Sequence, residues 1–198
     1  MIVQFKLFES KGKVIGPLYH GSGSIFKKFS DEELGGNSKD PHILNYLGFH
    51  FTPDFKMADR LFASPPNFVV YTVEITINKT LKIIEGNLIR EMLKWGGEND
   101  YFDTKKVNLE QLLNLRYDSD TGQSINTCLW TDRNNLINKK KLALGYKQYL
   151  ISEGYDSIKY LNEIEWKIDK RYDWIVFKNN QVKIINIYKE PKKSLKDK

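Results

Sequence analysis

With 198 residues, 40% of them hydrophobic and 13% aromatic, the chain carries enough apolar material for one packed domain, and wholesale disorder is excluded. Its single cysteine, Cys128, rules out an intramolecular disulfide and a thiolate metal cluster, and no apolar run nears the roughly 20 residues that span a bilayer. Half of the formal charge of +6 sits in the segment from Lys189 to Lys198, where five lysines stand against one Glu and one Asp, which leaves too little elsewhere for a DNA-binding face.

Met1 to Glu9 lacks a basic stretch followed by an apolar one, so the expectation is a cytoplasmic protein with neither a membrane partner nor a metal. Val14 to His20 reads as a short strand entering a Gly/Ser turn, after which Phe26 and Phe29 return to the core. Asp31 to Pro41 is a polar loop, and Gly48 to Thr52 a second short strand. A helix follows, with Thr52 as its cap, Pro53 in its first turn and Asp54 at the positive end of its dipole. Phe55, Ala58 and Phe62 recur in it at helical spacing, and Pro65-Pro66 ends it.

Phe68 to Ile77 alternates apolar and polar side chains and is the clearest strand; Leu81 to Ile84 adds a short one. Asn87 caps a helix through Leu93 that Gly96-Gly97 closes, and Asn108 with Gln111 opens another. In the polar stretch from Tyr117 to Lys139 only Cys128, a structural thiol, and its neighbours Leu129 and Trp130 read as buried. Leu142, Tyr146, Tyr149 and Leu150 form a helical stripe closed by Gly154. Strands at Ser157 to Leu161, Trp174 to Phe177 and Val182 to Tyr188 complete the chain. This order predicts an α+β fold with a mostly antiparallel sheet, peripheral helices and a helical middle insertion at about 85–140, all in one domain over 1–188, before a basic tail at 189–198.

Three segments carry chemistry: Leu18-Tyr19-His20-Gly21-Ser22, Gly48-Phe49-His50-Phe51-Thr52 with its helix, and Tyr172-Asp173-Trp174-Ile175-Val176-Phe177 with Gln181-Val182. In this order they resemble the ADP-ribosyltransferase superfamily, in its diphtheria-toxin and poly(ADP-ribose) polymerase-like branch and in related phage and bacterial effector domains. Gly154-Tyr155-Asp156-Ser157-Ile158 resembles a strand of the smaller bacterial and phage members. The resemblance implies cleavage of NAD to release nicotinamide, with transfer of ADP-ribose to a macromolecular acceptor, protein or nucleic acid.

Such chemistry needs an anchor for a ribose, a cradle for the nicotinamide ring and a carboxylate beside a developing cation. By resemblance His20 is the ribose anchor, the Gly21 backbone grips the nicotinamide amide, His50 stacks on its ring, and Asp173 is the acid. Ser22, Phe49 and Arg60 are further candidates for NAD contact, and Glu163 and Glu165 lie in the loop that positions the acceptor. Three departures stand out: His50 where the family usually has Tyr, Asp173 where it usually has Glu, and Met57 and Arg60 beside the retained Ala58. The two histidines are also similar to those of RNA 2'-phosphotransferases, and a non-catalytic nucleotide-binding module of the same fold is a third reading.

Overall fold

The computed structural model of the protein describes residues 12–34, 42–83, 88–107, 137–161 and 172–189. Among these residues seven strands form two small sheets: β1 (Lys13–Ser22), β2 (Phe49–Phe51), β3 (Val69–Ile77), β4 (Thr80–Ile83), β5 (Ser157–Leu161), β6 (Tyr172–Val176) and β7 (Val182–Lys189). One sheet runs β1-β3-β7, antiparallel throughout; the other runs β2-β6-β5-β4, antiparallel except for the parallel β4–β5 pair. Among the described residues three α-helices accompany them: α1 (Phe55–Met57), α2 (Leu88–Glu98) and α3 (Lys139–Ser152). Among the described residues no helix is long and apolar enough to cross a membrane.

Alternation decides which way each strand faces. Along β3, Tyr71, Val73 and Ile75 turn into the core between the sheets, where they meet Phe49, Phe51 and Val176. On the other face of the second sheet, Ile158, Tyr160 and Ile175 pack against Ile89, Met92 and Leu93 of α2 and Leu142 of α3. The second sheet is therefore covered on both faces. Each fully buried aliphatic side chain in these layers contributes about 1.5–3 kcal/mol relative to exposure. The β1–β3 ladder shifts register between Ile15 and Leu18, where Pro17 has no N–H to offer it.

Two side chains tie the ends of the strands together. The Asp156 carboxylate accepts from Asn78 N (2.7 Å), Asn78 Nδ2 (3.0 Å) and Lys79 N (3.2 Å), and so pins the β3–β4 turn to the start of β5. The Gln181 amide accepts from Phe177 N (3.1 Å) and Lys178 N (2.9 Å), and donates to Thr76 O (3.3 Å) and Asp156 O (3.1 Å). It thereby joins the two sheets at one end.

Two expectations about helices need correction. Gly96-Gly97 does not close α2, which continues to Glu98. Gly96 lies against the Leu142 side chain and gives α3 room to approach; the turn comes later, at Asp100, whose φ of 58° lets Tyr101 N bond Gly96 O at 2.9 Å. Nor does Thr52 cap α1. It is 2% exposed and bonded to β1, so Asp54 takes the cap, accepting from Lys56 N (2.7 Å) and Met57 N (3.2 Å). By contrast α3 ends as expected, with Gly154 at φ +83° and Tyr155 N bonded back to Leu150 O at 2.9 Å. Of the expected middle insertion, α2 is described. The Asn108 to Leu113 helix start, Cys128, Glu163, Glu165 and the tail beyond Lys189 lie outside the described residues.

Candidate active site

Besides the shared core and the Gln181 amide, one backbone rung links the two sheets among the described residues. Tyr19 N donates to Thr52 O (2.8 Å) and Thr52 N to Tyr19 O (2.9 Å), joining β1 to the end of β2. In an antiparallel ladder the next rung falls two residues along each strand, between Gly21 and His50. Here the His50 carbonyl instead accepts from the His20 ring, whose Nδ1 lies 2.9 Å away. An imidazole thus takes the place of a backbone donor, and the strands part at that point. Gly21 is two residues beyond Tyr19, so its N–H and C=O turn toward the same side, into the fork.

This geometry fixes the His20 tautomer. A carbonyl only accepts, so Nδ1 carries the proton and Nε2 keeps its lone pair. Burial lowers the His20 pKa, and the hydrogen bond to His50 O opposes that only in part, so the ring is neutral at pH 7. Aromatic side chains enclose it: Phe29 at 5.1 Å between centroids, Phe51 at 5.8 Å, and Phe26 and Tyr71 at 6.3 Å. Phe26 stacks on Tyr71 (4.1 Å), whose hydroxyl accepts from Phe26 N (2.7 Å) and donates to Ser24 O (3.0 Å). The turn after Ser22 is thereby folded back over His20. Tyr71 is hidden in the sequence as one apolar position of an alternating strand.

His50 is placed with equal definition. Its Nε2 lies 2.9 Å from Leu44 O, so the proton sits on Nε2 and Nδ1 is the acceptor, with the Tyr160 hydroxyl 3.5 Å away. Its pKa is lowered to about 4, chiefly by burial and further by the neighbouring His42 and His20, against the bond to Leu44 O. Opposed residues of an antiparallel pair share a face, so His50 opposite Ile175, and Tyr160 opposite Asp173, lie on the side of the sheet toward the helices. Asp173 is 4% exposed. His50, Asp173 and Tyr160 therefore gather on one face of three adjacent strands, while His20 approaches from the fork.

The segment after β2 closes over Gly21. From Ala58 to Phe62 the helix widens into a π-turn, whose closing bond runs from Ala63 N to Ala58 O (2.8 Å). A Cβ on Gly21 would coincide with both of those atoms, so only glycine admits the turn. Gly48 likewise lies against Val176 O, which lets β2 meet β6. Arg60 is exposed on the π-turn, and Ser22 Oγ accepts from Ser24 N at 3.0 Å. Phe49, a candidate for NAD contact, is turned by alternation to the face opposite His50, where it is 7% exposed and packs on Phe29 at 5.2 Å in the core between the sheets.

An α+β scaffold of antiparallel and mixed sheets is compatible with the ADP-ribosyltransferase fold that the three motifs resemble. The chain belongs to the family described as ADP-ribosyltransferase in polyvalent proteins, whose model matches residues 10–189. Among solved structures, the crystal structure of an anti-CRISPR protein is similar at a TM-score of 0.39 and 14% identity, over 89% of this chain and 97% of that one. No curated protein matches the sequence.

Proposed function

We propose that this protein binds NAD at the fork between β1 and β2 and transfers its ADP-ribose to a macromolecular acceptor, releasing nicotinamide. The observation that carries the reading is the replacement of the Gly21–His50 rung by the His20 ring. It leaves a lone pair on His20 Nε2, able to accept from a ribose hydroxyl. It also turns the Gly21 amide groups toward the opening, where they match the donor and acceptor of a primary carboxamide. His50 offers a neutral ring beside them. Asp173 supplies the negative charge that favours a ribose cation as the nicotinamide bond breaks, an effect felt mainly in the transition state.

The test is release of nicotinamide from NAD by the purified protein, alone and with a cell extract as acceptor source. Release that disappears in His20→Ala supports the reading; tight NAD binding without release in any extract replaces it with a non-catalytic binding module. A second reading draws on His50, whose two nitrogens both face polar partners, more than stacking requires. That favours an RNA 2'-phosphotransferase-like enzyme. His50→Tyr separates the two: a stacking role keeps NAD cleavage, whereas a specific polar role of the imidazole abolishes it.

A further inference from the structure

The geometry points to Tyr160 as a positioning residue for the site: from its place opposite Asp173 it reaches across β6 and orients the His50 imidazole. This deepens the NAD reading above and rests on it for its consequence in turnover, though not for the contact itself.

Strand order places β6 between β2 and β5, so Tyr160 and His50 start two strands apart, roughly 10 Å. The Tyr160 hydroxyl nevertheless comes to 3.5 Å from His50 Nδ1, with the rings edge-on at 86° and 6.5 Å between centroids. To span that gap the phenol must pass over the β6 backbone between Asp173, its cross-strand partner, and Ile175, the partner of His50. Tyr160 is 6% exposed, so its own ring has little freedom.

Because Leu44 O holds the Nε2 proton, Nδ1 is an acceptor and the hydroxyl is the donor toward it. The imidazole is thus held from both ends, by a backbone carbonyl on one side and a phenol on the other. A ring so held offers one fixed face to a ligand, which lowers the ordering cost of binding. Were the phenol absent, Nδ1 would lose its donor and the ring could turn about its remaining bond.

The test uses Tyr160→Phe, which keeps the packed ring and removes the hydroxyl. In 15N spectra of the folded protein, the His50 Nδ1 resonance should move toward that of a non-bonded imidazole nitrogen. In NAD cleavage, KM should rise roughly three- to tenfold, the size of one neutral hydrogen bond, with kcat little changed. An unmoved Nδ1 resonance in folded Tyr160→Phe overturns the proposal, and so does an equal fall in kcat with KM unchanged. Should Tyr160→Phe not fold, a fluorotyrosine placed at 160 in the full chain, a stronger donor, should move the same resonance the opposite way; no movement there also overturns it. The spectroscopic result stands whether or not NAD is cleaved, so a failure of the transferase reading would show in nicotinamide release alone.

Discussion

His20 has two ring nitrogens with different parts: Nδ1 takes the place of a backbone donor, and Nε2 keeps the lone pair that the NAD reading assigns to a ribose hydroxyl. His20→Ala should therefore weaken NAD binding by about 1–3 kcal/mol by calorimetry, since an acceptor is lost and the His50 carbonyl loses its donor. An affinity equal to wild type would remove His20 from the site. Asp173→Asn keeps the shape and removes the charge; nicotinamide release should fall roughly a hundredfold or more while NAD binding changes little. Normal turnover in that variant, with loss in Glu163→Gln or Glu165→Gln, would move the acid to the acceptor loop. His20, His50 and Asp173 stand out in the sequence only together: each alone reads as readily as a structural residue, and it is the order and spacing of the three motifs that carries the resemblance. The placement of Phe49 is also legible: in Phe49-His50-Phe51 a period of two sends ring 49 away from ring 50. Tyr160 is invisible there, because within Ser157 to Leu161 it looks like any core aromatic until the strand order shows what lies two strands away.

At the scale of elements, the strands are legible nearly to their ends, because alternation records which face is buried. The helix after β2 is not. Its residues have helical spacing, yet the chain makes one α-turn and then a π-turn, because the Ala58–Ala63 bond must rest on Gly21. Tertiary fit overrides local preference there, and a single sequence carries no sign of it. Gly21→Ala should cost about 1–3 kcal/mol in urea unfolding, the usual scale for forcing a methyl into a filled space, and should displace the π-turn as well. Wild-type stability would mean that the turn does not press on β1. Asp156 offers a second test away from the fork. Its carboxylate collects three donors from the β3–β4 turn, so Asp156→Ala should cost about 2–3 kcal/mol in the same measurement and leave NAD affinity unchanged. A loss below about 0.5 kcal/mol would mark the clamp as incidental. The motif Gly154-Tyr155-Asp156-Ser157-Ile158, legible as a family mark, thus ends α3 and fastens the start of β5.

For the whole molecule, the two histidines make stability depend on pH with a definite sign. Both are held neutral by burial, His50 with a pKa of about 4, against about 6.5 for an unfolded chain. Below pH 6.5 the unfolded state binds protons that the folded state refuses, so this contribution is complete above 6.5 and is lost as pH falls toward 4. The urea midpoint should therefore be lower at pH 5 than at pH 7.5, and replacing His50 with glutamine should flatten that dependence; a midpoint that rises on acidification would contradict the neutral assignment. Gln181 adds a mechanical consequence at the same scale. It grips Thr76, at the end of β3 far from Val70, and Phe177 and Asp156, just beyond the Val176–Ser157 pair of the other sheet, so one amide couples the far end of the first sheet to the end of the second that lies next to His50 and its partner Ile175. The amide and the Tyr19–Thr52 rung are thus two fasteners between the sheets, and Gly21 and His50 lie past the rung, where no backbone bond joins β1 to β2 among the described residues. Undoing the first fastener, as in Gln181→Leu, should loosen the two sheets against each other and change NAD association in a binding measurement, although no side chain proposed to touch NAD is altered.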